Sequence, residues 1–470
     1  MNSQSYDLAI IGAGASGLIA ADFAVQLGER IALIDKGPIG GDCTWSGCVP
    51  SKSLIKVATV AHHVRTAPRF GIDTSEPKAD LTKVRAYLRE TIEQIYEPTT
   101  PENLAKKGMD VLVGAASFVD PHTLRVGDRT IHARKFLVNT GAGPTLPNIT
   151  GLASVPYLTY QQIFENDRLP EHLIIIGGGP IGCEIAQAYR RLGSRVTLVA
   201  TRLLTHEDDE VSSLIERVFA GEGIDRVKER AEAVRNDSRS IVVSSTSSET
   251  SGDMLLIATG RTPLTHGLNL EAANVRYSPR GIEVDKYLRT SARHIFASGD
   301  VIGGPQYSHL AGWQGFQAVR NALLPGKNKG TSDSLSRITF TSPEVAQVGL
   351  TERAARQQHP PASLQIMTFD IAKVDRAVNE DDRLGLLKIV ALRSGRILGA
   401  VIVGERAGEA ITEISVAIRN RLKLADVAAT IHPYPTYCSG IQFLATRMAM
   451  DQTFSGGYGK FLRGISARWR

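Results

Sequence analysis

The chain has 470 residues, 42% of them hydrophobic, a formal net charge of +6 and four cysteines. That length and apolar content point to a soluble, folded protein of roughly two to four domains. Four cysteines in so long a chain exclude a secreted disulfide framework, so a single reactive pair in a reducing compartment, the cytoplasm, is the expectation.

The first residues, Met1 to Tyr6, carry no basic leader region. The apolar run from Leu8 to Ala21 is interrupted by glycines and closed by Asp22, short of a membrane span. Neither a signal peptide nor a membrane partner is expected. Leu8 to Ile11 instead reads as a buried strand, followed by Gly12-Ala13-Gly14-Ala15-Ser16-Gly17, a helical run from Leu18 to Leu27 and a second strand, Ile31 to Ile34, ending at Asp35. In such a βαβ unit Gly12 permits the tight turn, Gly14 lets backbone approach a pyrophosphate, Gly17 lets helix pack on strand, and Asp35 sits where a ribose hydroxyl is bound.

Next comes Gly41-Asp42-Cys43-Thr44-Trp45-Ser46-Gly47-Cys48-Val49-Pro50-Ser51-Lys52. Two thiols four residues apart can close a small ring if the chain turns, which Gly47 and Pro50 suit. A helix starting at Ser51 would place them at its N-terminus, where thiol pKa values fall. Redox chemistry is therefore expected; a zinc site lacks a second Cys or His cluster, and two unrelated buried thiols are the remaining alternative.

The nucleotide pattern recurs. Leu173 to Ile176, Gly177-Gly178-Gly179-Pro180-Ile181-Gly182, a helix to Leu192 and the strand Arg195 to Val199 form a second unit. One glycine motif is a weak signal, whereas two in strand-loop-helix context predict two dinucleotide sites. After the second strand stand Ala200, Thr201 and Arg202 with no acidic residue, so Arg202 can pair with a 2′-phosphate and NADPH is favoured; Gly182 would also suit NADH.

A cysteine pair between two dinucleotide units resembles the flavoprotein disulfide reductases: dihydrolipoamide dehydrogenase, glutathione reductase and mercuric ion reductase. Matching blocks are Phe136 to Gly141, Leu255 to Arg261, Ile295 to Asp300 and Phe340 to Thr351. The resemblance implies an α/β fold with two Rossmann-like domains and a C-terminal α+β dimerisation domain. FAD would occupy residues 1–148, completed by 266–331; NAD(P)H would occupy 149–265; residues 332–470 would form a homodimer interface whose partner completes each active site.

By the same resemblance, Ser16, Lys36, Gly41, Asp42, Ala116, Thr140, Gly141 and Gly260 join the glycine motifs in holding cofactor, Asp300 bonds the FAD ribitol, and Gln306 to His309 lie close to the flavin. Gly177, Gly179, Ile181 and Gly182 would hold the nicotinamide nucleotide. Lys52 would pair with Glu184 and stabilise reduced flavin. Cys48 would face the flavin and Cys43 the substrate, while Cys183 reads as a small core residue.

The C-terminal block departs from the dithiol enzymes. Where glutathione reductase and dihydrolipoamide dehydrogenase carry a proton-shuttling histidine and an orienting glutamate, His432-Pro433-Tyr434-Pro435-Thr436-Tyr437-Cys438-Ser439 places Tyr434 and Ser439. A phenol with pKa of about 10 does not take a thiol proton near neutrality. Tyrosine here looks like mercuric ion reductase, whose acceptor is a metal ion bound by thiolates. Two features of well-known mercuric reductases are missing from the expectation, an N-terminal Cys-x-x-Cys domain and a cysteine pair in the tail from Phe461 to Arg470. A quinone or small-disulfide reductase is the alternative enzyme, and a redox-sensing flavoprotein the alternative of another class. Lys460, Arg463, Arg468 and Arg470 concentrate positive charge at the C-terminal end, which suits an anionic surface or cofactor; the favoured reading is a solvated basic tail with no nucleic-acid partner.

Overall fold

The computed structural model describes residues 4–238, 240–455 and 457–469. Its contacts divide the chain into two compact units: Met1–Gly177 with Ala188–Val199 and Glu229–Ser332, and Gly178–Gln187 with Ala200–Lys228 and Asp333–Arg470.

In the first unit β1 (Gln4–Ile11), α1 (Ala15–Gln26) and β2 (Ile31–Asp35) form the expected βαβ unit, with Leu8 opposite Ile31 in parallel register. Strands β3 (Asp110–Val113), β4 (Ala116–Asp120), β5 (Thr123–Val126) and β6 (Arg129–Val138) complete a sheet in the order β3-β2-β1-β6-β5-β4, and Ile295–Ala297 pairs parallel to β6. Leu8, Ile10 and Leu33 pack to one side of this sheet; Ala9, Ile11 and Val138 pack to the other. Burial on both faces explains the unbroken apolar runs that mark these strands in sequence. The second repeat supplies the parallel strands Arg195–Val199, His172–Ile176 and Met254–Ile257, in that order, with the helix Pro180–Leu192 following the second glycine loop.

The second unit centres on an antiparallel sheet in the order Ser336–Thr339, Glu344–Gly349, Ile397–Gly404, Leu386–Leu392, Leu364–Asp370. The helices Ala407–Arg419 and Cys438–Phe454 lay Ile411, Ile414, Leu444 and Met448 against its Ile389 and Ile402. The protein is thus an α/β molecule with two dinucleotide-type parallel units and an α+β C-terminal portion.

The cysteine segment departs from the expectation of one helix from Ser51. A short helix α2 (Gly41–Trp45) precedes α3 (Cys48–Thr66), which starts at Cys48 itself. Pro50 falls in the first turn of α3, where its missing N–H leaves no intrahelical bond unmade.

Candidate active site

The first glycine loop has the space its spacing predicts. Gly12 has φ +106°, and a Cβ there would lie 2.4 Å from the Asn139 carbonyl oxygen; a Cβ on Gly17 would lie 2.0 Å from the Gly12 oxygen. Neither position admits a side chain. Gly14 is different, since its nearest neighbour to a Cβ is Gly41 Cα at 3.9 Å, so the space beside it is open. Asp35 at the end of β2 accepts from Ala13 N at 2.6 Å and Gly37 N at 2.9 Å. Ser16 is buried, its Oγ 2.7 Å from that of Ser298.

Asn139, at the end of the adjoining strand, is buried with neither amide atom hydrogen-bonded. An open glycine cradle beside unsatisfied buried polar atoms fits a dinucleotide such as FAD. Lys36 is exposed, Thr140 Oγ1 donates to Leu264 O at 2.6 Å, and Gly141 and Gly260 both take positive φ. Ala116 is buried at the start of β4.

One charged cluster holds the cysteine segment. Arg261 Nη2 bonds Asp42 Oδ2 at 2.8 Å and its Nη1 bonds Asp300 Oδ2 at 2.6 Å, while Tyr160 Oη donates to Asp42 Oδ2 at 2.6 Å. Burial raises the Asp300 carboxyl above the ordinary aspartate range, against the opposing pull of Arg261. Arg261 and Tyr160 were not singled out from sequence; an arginine shared by two aspartates becomes visible only when residues 219 positions apart are brought together.

Cys43 and Cys48 lie side by side as free thiols in this structure, hydrogen-bonded to each other. That bond and then burial push the Cys43 thiol up, the reverse of the expected fall, because a neighbouring thiol stabilises the neutral form. Cys48 is exposed at the first position of α3, with its Sγ 3.3 Å from Ser308 Oγ. Ser308 lies within the window from Gln306 to His309; Gln306 Nε2 reaches Arg261 O at 3.4 Å, and the exposed His309 stacks on Tyr307. Lys52 is half-buried on α3.

In the second unit Glu184 is buried and accepts from Phe340 N at 2.9 Å. Gln187, one helical turn on, exchanges two bonds of 2.7 Å with the backbone of Ser342. The block beginning at Phe340 therefore has a physical role, fixing this helix. No heavy atom lies within 4 Å of a Cβ on Gly179, whereas one on Gly178 would meet Arg202 O at 2.4 Å. Ile181 and Gly182 open the helix after this loop. Arg202 is held by Asp209 Oδ1 at 2.5 Å and Glu207 O at 2.8 Å, rather than standing free. Asp209 is 86% exposed. Cys183 is fully buried, as a core residue would be.

Tyr434 is 70% exposed and donates to Asp375 Oδ2 at 2.6 Å, which raises its phenol further. Ser439 is buried and spends its hydroxyl on Thr436 O at 2.6 Å. His432 faces Thr430 O at 2.9 Å through Nδ1 and Glu413 Oε1 at 2.8 Å through Nε2, a carboxylate-imidazole pair that sequence spacing did not reveal. With Cys438, whose thiol burial pushes up, His432 and Glu413 line a cavity of about 490 Å³.

Residues 6–315 match the pyridine nucleotide-disulphide oxidoreductase model, and residues 335–444 match the dimerisation domain of that family. The chain belongs to this family. It is a flavoprotein disulfide oxidoreductase, an FAD enzyme. It is 38% identical to a mercuric reductase of Streptomyces lividans, over 95% of this chain and 97% of the relative. A mercuric reductase of Lysinibacillus sphaericus is 35% identical, over 96% of this chain and 84% of the relative. Among solved structures, the Cu(II) complex of the HOCl-induced flavoprotein disulfide reductase RclA from Escherichia coli superposes with a TM-score of 0.86 at 29% identity, covering 95% of this chain and all of that one.

Proposed function

We propose that the protein reduces a soft, thiol-bound metal ion, with mercuric ion as the type substrate, using NADPH. The observation that carries this reading is Tyr434: an exposed phenol tied to Asp375, with no carboxylate at Ser439, stands where a dithiol reductase needs an imidazole. The mercuric reductase relatives and the Cu(II)-bound neighbour support a metal acceptor.

Bound FAD would accept hydride from the nicotinamide and supply two electrons to the cysteine pair. Gly12, Gly14, Ser16, Gly17 and Asp35 would hold it, with Asp300 toward the ribitol; residues 1–148 and 266–331 form that domain and 149–265 the nicotinamide domain. Lys52 would supply positive charge that favours the reduced cofactor, and Glu184 would act as its counter-ion. Cys48 would stand on the flavin side of the pair and Cys43 would meet the substrate. A thiophilic cation displaces the shared thiol hydrogen bond, takes both sulfurs as thiolates and releases two protons. The overall reaction balances as NADPH and Hg²⁺ giving NADP⁺, a proton and Hg⁰. Tyr434, from the partner of a cytoplasmic homodimer formed through residues 332–470, lines the metal pocket. NADPH preference rests on Arg202, for which a 2′-phosphate would compete with Asp209.

A small-disulfide reductase is the reading that the His432–Glu413 pair favours instead. The test is anaerobic NADPH and NADH consumption with Hg²⁺ in excess low-molecular-weight thiol, compared with glutathione disulfide, with a quinone, and with Cys43→Ser. Mercury-dependent turnover that prefers NADPH and vanishes in the variant is expected. Turnover with glutathione disulfide alone would replace the metal by a disulfide, and variant-insensitive quinone turnover alone would leave a flavin diaphorase.

A further inference from the structure

The basic C-terminal segment is not a loose tail but a helix, Gly457–Arg468. Tyr458, Phe461, Leu462 and Ile465 recur at i, i+3, i+4 and i+7, an apolar arc about 100° wide, while Lys460, Arg463 and Arg468 occupy the remainder. Tyr458 is 63% exposed, Phe461 61%, Ile465 40%, and Trp469 just beyond the helix 87%. Gly459 is its buried residue, set against Phe454.

A helix of 12 residues is marginal in water without an apolar contact, and Gly464 in its interior weakens it by about 1 kcal/mol relative to alanine. Something that covers the apolar arc would stabilise it. Charge identifies the partner: from Gln452 onward the chain carries Lys460, Arg463, Arg468 and Arg470 and no aspartate or glutamate. An apolar stripe with tyrosine and tryptophan, bordered by cations alone, matches the interface of an anionic bilayer. The match to the family's dimerisation domain ends at residue 444, before this helix begins. No helix among the described residues is long and apolar enough to cross a membrane, and this one would lie along the surface.

We infer that the Gly457–Arg468 helix docks the enzyme on an anionic phospholipid surface, its apolar arc in the headgroup layer and its cations on lipid phosphates. Spanning length, which excludes a transmembrane segment, is blind to a short amphipathic helix.

The test is co-sedimentation of the holoenzyme with phosphatidylcholine vesicles with and without phosphatidylglycerol. Binding to the anionic vesicles alone is expected, falling steeply between about 0.05 M and about 0.5 M salt. Replacing Lys460, Arg463 and Arg468 together by Gln should weaken partitioning on the order of a hundredfold. Phe461→Gln should also release the protein, while flavin content and NADPH turnover stay unchanged in both variants. Equal affinity for neutral vesicles, or no binding to either, overturns the inference. So does a change of oligomeric state in the Phe461→Gln variant, measured by light scattering, with vesicle binding intact, which would assign the arc to a second copy of this chain.

Discussion

At the residue scale the C-terminal block can be rewritten chemically. Tyr434 already donates its phenol hydroxyl to Asp375 Oδ2, 2.6 Å away, so an imidazole at this position would find a carboxylate able to orient it. Tyr434→His should therefore raise kcat/KM for glutathione disulfide by about tenfold or more, with a pH optimum near the imidazole pKa, and leave mercury turnover no better than in the parent. Steady-state kinetics across pH decide this; an unchanged disulfide rate would mean that position 434 is remote from the proton transfer. The substitution of tyrosine for histidine was legible because a motif fixed its place. The supporting partners Asp375 and Glu413 were not, since each comes from a segment distant in sequence and neither carries a motif of its own.

At the element scale the glycine loop separates folding from cofactor binding. A Cβ on Gly17 would overlap the Gly12 oxygen at 2.0 Å, forcing α1 away from the strand it packs on, whereas a Cβ on Gly14 meets nothing closer than 3.9 Å. Gly17→Ala should thus lower the melting temperature by several degrees or prevent folding. Gly14→Ala should fold like the parent yet lose most of its flavin, because the added methyl fills the space reserved for the pyrophosphate. Far-ultraviolet circular dichroism together with the flavin absorbance of the purified variants reads both effects. Retention of flavin by Gly14→Ala would show that the loop does not approach the phosphates.

These elements were legible because strand, glycine loop and helix each follow from local pattern. The helix break between α2 and α3 was not, since both start signals, Gly40 at φ +108° and Gly47, are glycines without a polar cap. The amphipathic Gly457–Arg468 helix escaped for a related reason: its three glycines argue against a helix from propensity alone.

At the scale of the whole molecule, charge joins segments that lie far apart in the chain. Lys388, 1% exposed on the strand Leu386–Leu392, bonds Asp208 at 2.8 Å, Glu210 at 2.7 Å and Glu352 at 3.0 Å. Asp208 also receives Glu352 N and Arg353 N, and Glu207 beside it holds Arg337. The segment that follows the second nucleotide strand is thereby fastened to the C-terminal sheet as part of one compact unit, and Arg202 is positioned from the same segment.

The Asp208 carboxyl is pulled below its ordinary range by Lys388 and two backbone N–H groups, overcoming burial, and Glu352 is lowered by Lys388 and Arg356 against the same burial. The three carboxylates in turn hold the Lys388 ammonium well above its ordinary value, again against burial. Depressed carboxylates contribute stability above their unfolded values of about 4, lost as pH falls through the folded values. A raised lysine contributes stability below about 10.4, lost as pH rises past it. This cluster therefore supports the fold across neutral pH and fails in acid. Lys388→Met leaves three neighbouring carboxylates without their cation, which should cost about 3 kcal/mol near pH 7. Lowering the pH from about 6 to about 4 should then restore part of that loss in the variant, because protonation relieves carboxylate repulsion, while the parent loses stability over the same interval. Opposite slopes of melting temperature against pH for the two proteins are the expected result, and parallel slopes would show that Lys388 contributes packing rather than charge.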